Sequence, residues 1–235
     1  MRVSPVRCRP RRAWRGRAVH GVVTALAAWV FLAACAEATP PPAPPAVSPT
    51  SLPPTADLRA PGDFDVLADR GARSRALFVE ASRVMLHPRC RNCHPAGDSP
   101  LQGDEGALHD PPVIDGVPGL RCDSCHQDRN LELARVPGAP GWRLAPRSMA
   151  WEGRSVATIC AQVKNPQRNG GKTLAQIVDH AAHDPLVAWG WAPGHGRTPA
   201  LGSQERFAAL IAAWVDTGAE CPSDGATRQE KEAAR

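Results

Sequence analysis

Two short stretches constrain this chain more than anything else in it: Cys90-Arg91-Asn92-Cys93-His94 and Cys122-Asp123-Ser124-Cys125-His126. Two cysteines three positions apart with a histidine directly after form the C-x-x-C-H spacing to which c-type haem is attached. Each thiol can bond a vinyl group of the ring as a thioether, and the histidine is then held beneath the ring with a nitrogen toward the iron. Paired C-x-x-C units are also a zinc-ribbon signature, but a four-cysteine zinc site needs no histidine after each pair. Here both pairs carry one. A thioredoxin-like redox pair calls for a βαβ setting, and none is visible. The expectation is two covalently bound haem c groups, held by Cys90, Cys93, Cys122 and Cys125, with His94 and His126 as axial ligands to iron.

The N-terminus reads as an export signal. Seven arginines between Arg2 and Arg17 precede an apolar run from Val22 to Ala34, too short to span a bilayer comfortably. That run ends in Leu32-Ala33-Ala34-Cys35, which resembles the lipobox of bacterial lipoproteins. The resemblance implies that residues 1–34 are removed and that Cys35 is lipidated; the alternative is an uncleaved N-terminal anchor. Either way the chain is expected in the periplasm, attached to the outer membrane or to the face of the inner one. Such an address suits c-type haem, which is attached outside the cytoplasm in bacteria. The residues after Arg11-Arg12 match a twin-arginine signal poorly, so the general secretory route is expected.

Export also changes the electrostatic picture. The full chain has 28 Lys+Arg against 23 Asp+Glu, and removing the seven N-terminal arginines leaves 21 against 23. A near-neutral mature protein gives no support to nucleic-acid binding. Residues 35–62 are rich in Pro, Ala, Ser and Thr and read as a lipid-anchored, extended linker, at about 3 Å per residue. Residues 63–222 suit one folded domain, and residues 223–235 a polar, frayed tail.

Helical periodicity dominates the folded part. A helix is expected from Val66 to Leu86, with Leu77, Phe78, Ala81, Val84 and Met85 apolar, stopping before Pro88. Ser155 and Thr173 are placed to cap two more, and Ser203 to Thr217 carries Phe207, Leu210, Ile211, Trp214 and Val215 at helical spacing. Gly218 stands where a C′ glycine belongs. No convincing alternating strands appear. Long Pro/Gly-rich loops such as Pro137 to Trp142 join the helices, and loops of that length usually wrap something. The fold class is therefore mainly α, with helices and loops wrapped around two haems in one domain. Among eight cysteines, Cys8 leaves with the signal, Cys35 is the lipid site and four hold haem. Cys160 and Cys221 remain, and an oxidising compartment favours a disulfide between them over two unrelated thiols.

A helix leading into C-x-x-C-H, further helices, and a closing helix with Trp214 before Gly218-Ala219 resemble a bacterial c-type cytochrome. Leu86-His87-Pro88-Arg89-Cys90, Pro137-Gly138-Ala139-Pro140, Met149-Ala150-Trp151, Arg168-Asn169-Gly170-Gly171 and Trp189-Gly190-Trp191 resemble small proteobacterial cytochromes labelled as a subunit of isoquinoline 1-oxidoreductase. That resemblance implies an electron acceptor for a molybdenum hydroxylase of the xanthine-oxidase type. The chain has no iron–sulfur cysteine pattern and is too small to be the hydroxylating subunit. The expected function is electron transfer between redox partner proteins, a donor dehydrogenase and a respiratory acceptor. The alternative is a dihaem peroxidase-like enzyme, in which one iron keeps an open position. The known dihaem peroxidases are longer and carry their motifs in separate domains. A haem lipoprotein acting as a sensor is a third class, though no effector domain accompanies it.

Each iron also needs a sixth ligand. The candidates are Met85, His87, His109, Met149, His180, His183 and His195. Met85 continues an apolar helix face, and His183 falls opposite the apolar face of its helix. His87 is tethered too closely to Cys90 to round that haem, but it could reach the other. His180 lies at the edge of a helix face, and His109 sits in the loop between the motifs beside Pro111 and Pro112. Met149 is assigned to the haem of Cys122, Cys125 and His126. It alone among the methionines is outside the initiator and the helix faces, and the segment before it is free to wrap a ring edge. If Met149 only packs against Trp151, His109 and His180 become the preferred pair.

Overall fold

The computed structural model describes residues 55–113 and 121–224. The export signal, Cys35, the linker up to residue 54 and the tail from residue 225 lie outside the described residues. Within them the protein is mainly helical. The helices are α1 (Arg70–Met85), α2 (Pro88–Arg91), α3 (Val156–Lys164), α4 (Leu174–His183), α5 (Pro185–Ala188) and α6 (Gln204–Asp216).

Local chemistry fixes most of the helix starts. Ser155, Thr173 and Ser203 each cap a helix by accepting a backbone N–H from the third residue on, as their positions in the sequence predict. In α4 the Gln176 side chain accepts in return from the Thr173 N–H, closing a capping box. The first helix begins at Arg70 rather than Val66, because the Asp69 carboxylate accepts from Ala72 N–H at 2.6 Å. It ends at Met85, ahead of Pro88 as expected. Pro88 does not open a loop, however. It takes the first position of α2, where its missing N–H costs nothing, and α2 carries Cys90.

Between the two motifs lies a hairpin that the sequence reading missed. Strands β1 (Leu101–Gln102) and β2 (Ala107–Leu108) pair antiparallel, Leu101 opposite Leu108. Two-residue strands are too short to show alternation, and the turn depends on positive φ at Gly103 and Gly106. Residues 55–61, expected as free linker, instead lie along α1. Leu58 is buried, and the Arg59 N–H donates to the buried Glu80 carboxylate at 3.1 Å. A buried carboxylate needs partners, and Arg59 and Arg83 supply them.

The core forms where α6 packs against α1 and α4. Phe78 and Trp214 meet with ring centroids 4.8 Å apart, among Leu77, Val84, Leu210 and Ile211. Ser74 ties the end of α6 to α1: its Oγ donates to Trp214 O at 3.1 Å and accepts from Glu220 N–H at 2.9 Å. Cys160 in α3 is joined to Cys221 by a disulfide. Among the described residues, the stretch from the end of α2 to Trp151 holds the short hairpin, loops and single turns, and it lines two cavities.

Candidate functional site

Each C-x-x-C-H stretch is a single turn. Cys90 lies in α2, where Cys93 N–H donates to Cys90 O and His94 N–H to Arg91 O. Cys122 opens a 3-10 turn, and His126 N–H donates back to Cys122 O at 2.9 Å. A tight turn brings thiols three positions apart to one side, with the following histidine beside them. Cys90, Cys93, Cys122 and Cys125 are held as thiols and not as disulfides. Desolvation pushes the Cys90 thiol up to about 12 and Cys93 up to about 11. A dithiol working by exchange depends on the opposite shift, which burial of the first pair does not provide.

The histidines are oriented from behind. His94 Nδ1–H donates to Met149 O at 2.7 Å, and His126 Nδ1–H donates to Pro137 O at 2.7 Å. Burial holds both rings neutral, with His94 down at about 4. A neutral imidazole carries one N–H, so each ring keeps its Nε2 lone pair. Each ring also stacks on an indole: His94 on Trp151 at 3.4 Å and His126 on Trp142 at 4.6 Å between centroids.

The supporting carbonyls come from the Pro/Gly-rich loop. Trp151 N–H donates to His94 O, and Ala145 N–H to Cys93 O, so residues 145–151 run along the first motif. The Pro137 carbonyl is set by Gly138. A Cβ there would lie 2.3 Å from Arg129 O and 2.4 Å from Gln127 O, closer than side-chain carbon is ever found. Asn130 locks the same corner, its Oδ1 accepting from Gly138 N–H and from Trp189 Nε1–H.

Two adjoining cavities complete the site. One, of about 620 Å³, is lined by Cys122, Cys125, His126, His109 and Trp142. The other, of about 380 Å³, is lined by Cys90, Cys93, His94, Met149, Trp151 and His180. Arg89, Cys93 and Trp189 line both. Both volumes fall in the range of cofactor pockets. Arg89 pairs with Asp104, and its guanidinium lies 6.0 Å from the Trp189 ring centre. Arg89 Nε and Trp151 Nε1 are buried with no hydrogen-bond partner, and both residues line the smaller cavity. Two orphaned donors in one cavity fit a ligand that brings acceptors, such as carboxylates.

The structure thus brings each motif's thiols and histidine to one cavity. It corrects the assignment of Met149, which lines the cavity of His94 and not that of His126. The physical reason is the backbone: Met149 O is the acceptor that orients His94, which fixes Met149 behind that histidine. Met85 is buried in the end of α1 and reaches the same cavity. Among the described residues, no three His, Cys, Asp or Glu side chains converge as a metal-ion site. The four thiols therefore do not form the closed tetrahedral cage of a zinc ribbon. Haem iron asks less of the protein, two axial ligands per ring.

Sequence reasoning missed Arg89, Asn130, Trp142 and Trp189 as parts of the site. One signal could have found the indoles: seven tryptophans and no tyrosine in the chain. No family model, no curated protein and no solved structure matches the chain, so the site is read from its own geometry.

Proposed function

We propose that this protein is a dihaem c-type cytochrome that carries electrons outside the cytoplasm. One observation carries the reading. Each C-x-x-C-H histidine donates Nδ1–H to a backbone carbonyl and keeps its Nε2 lone pair, in a cavity lined by its own motif's two thiols. Backbone support of this kind fixes the tautomer and ring orientation of a metal-binding histidine.

Cys90, Cys93 and His94 would hold one haem, and Cys122, Cys125 and His126 the other. Bound haem c supplies an iron that changes oxidation state by one electron. The chain's part is to hold both rings in one shared fold, stack indoles behind the axial histidines, and set cationic groups around both cavities. Arg89, Arg143 and Trp189 line both, which supports two haems close enough to exchange electrons. The helices and wrapped loops then form a cytochrome c-like domain. A lipid on Cys35 holds that domain at a membrane face. The resemblance to cytochromes labelled isoquinoline 1-oxidoreductase subunit makes a molybdenum-hydroxylase-type dehydrogenase the proposed donor and a respiratory chain the acceptor. An oxidised protein that such a dehydrogenase leaves unreduced would remove that donor.

The central test is haem content. Chain matured in a bacterium with haem-attachment machinery should carry two covalent haems by pyridine haemochrome. Replacing Cys90 and Cys93 together, or Cys122 and Cys125 together, by alanine should leave one. Protein that retains zinc and shows no haem absorbance would overturn the reading.

A further inference from the structure

We infer that His109 and His180 complete the axial pairs, His126 with His109 in the larger cavity and His94 with His180 in the smaller. This rests on the dihaem reading and extends it to a molecule whose two irons have no open position.

The four histidines share one arrangement. His109 Nδ1–H donates to Pro111 O at 2.8 Å, and His180 Nδ1–H donates to the Asp184 carboxylate at 3.0 Å. These match the bonds from His94 to Met149 O and from His126 to Pro137 O. All four rings keep the Nε2 lone pair, the nitrogen a metal takes when the other is held. Two such rings line each cavity.

The remaining described histidines fail this test. His87 Nδ1 accepts from Arg89 N–H, so in the neutral ring the proton sits on Nε2. The His183 side chain is 75% exposed, and it lines neither of the two cavities. His195 also lines neither.

Distance supports the His126–His109 pair. Two imidazoles bound through Nε2 at about 2 Å from one metal have ring centres about 6 Å apart. His109 and His126 have centroids 5.9 Å apart with planes at 61°. The hairpin places His109 there: Leu101 N–H donates to Asn92 O within the first motif, and His109 N–H donates to Pro100 O. In the smaller cavity Met149 and Met85 are the rivals, but both side chains are buried in the apolar core, and neither has an imidazole's second nitrogen held in place by a hydrogen bond as His180 has. Iron with a histidine on both faces has no position for peroxide, which favours a carrier over a peroxidase.

The experiment uses the full chain matured with haem. Low-temperature EPR of the oxidised wild type should show two low-spin ferric signals, and the reduced protein should bind no carbon monoxide. His109→Ala and His180→Ala should each keep two covalent haems, turn one iron high-spin and bind one carbon monoxide per chain. His109→Met and His180→Met, which spare the fold if alanine does not, should stay low-spin and gain a sulfur-to-iron charge-transfer band. A wild type that binds carbon monoxide or already shows that band overturns the assignment, as does an alanine variant with an unchanged EPR spectrum. Wild-type protein with no covalent haem overturns the dihaem reading itself, and this assignment with it.

Discussion

A carboxylate behind an imidazole makes it a stronger electron donor, and Asp184 stands behind His180 in that way. The other three cavity histidines lean on neutral carbonyls, of Met149, Pro137 and Pro111. In the proposed dihaem protein the two irons should therefore differ. Negative charge behind one ligand stabilises the ferric state and lowers that haem's potential. Asp184 also caps α5, accepting from Leu186 N–H at 2.8 Å, a bond that asparagine can keep. Asp184→Asn should thus raise one midpoint potential, by roughly 60 mV for each tenfold change in relative affinity, and leave the other in place. Spectroelectrochemical titration reads both, and two unmoved potentials would detach Asp184 from the site. The i, i+4 spacing of His180 and Asp184 was legible as a helix-surface pair. That His180 borders the smaller cavity was not, because it depends on how α4 packs against α6.

At the scale of elements, the capped helices were the most legible part of the chain. Ser155, Thr173 and Ser203 each precede an apolar face of helical period, and each begins a helix. The disulfide joins α3 to the segment after α6, its ends 61 positions apart in the sequence. Closing a loop of that length removes unfolded-state entropy worth about 4 kcal/mol, less any compensation. Replacing Cys160 and Cys221 together by alanine should lower stability to urea by about 2–4 kcal/mol while the haem spectrum stays the same. Loss of haem from that variant would mean the bond supports the site and not only the helical core. The hairpin was illegible for a physical reason: two residues carry no period, and its turn is made by backbone conformation at Gly103 and Gly106.

Across the described residues, the helical core forms one wall of the smaller cavity, through Met85, Ile177, Phe207 and Ile211, and loops form the rest. The core of α1, α4 and α6 is apolar, whereas the loops around the cavities carry indoles, cations and carbonyls. Trp189 stands where the two cavities adjoin. It lines both cavities, donates to Asn130, and meets Trp142 edge-on at 5.0 Å between centroids. Residues 55–61, expected as linker, are docked on α1, and the proposed lipid site at Cys35 lies outside the described residues. Cys35→Ser should move the protein from the membrane pellet to the soluble periplasmic fraction. A variant that still sediments with membranes would leave the lipid assignment without support.

The sequence by itself determined the two C-x-x-C-H stretches, the capped helices and the cysteines left over for a disulfide. Those follow from spacing along one chain: a C-x-x-C-H turn, an apolar period, a serine or threonine before it. Only the tertiary structure decided which carbonyl stands behind which histidine, that Met149 belongs to the first motif's cavity, and that His109 faces His126. These depend on where loops without any period come to rest. There the deciding contacts are made across space, by Gly138 lying against Arg129 O and by Asn130 bonding Trp189.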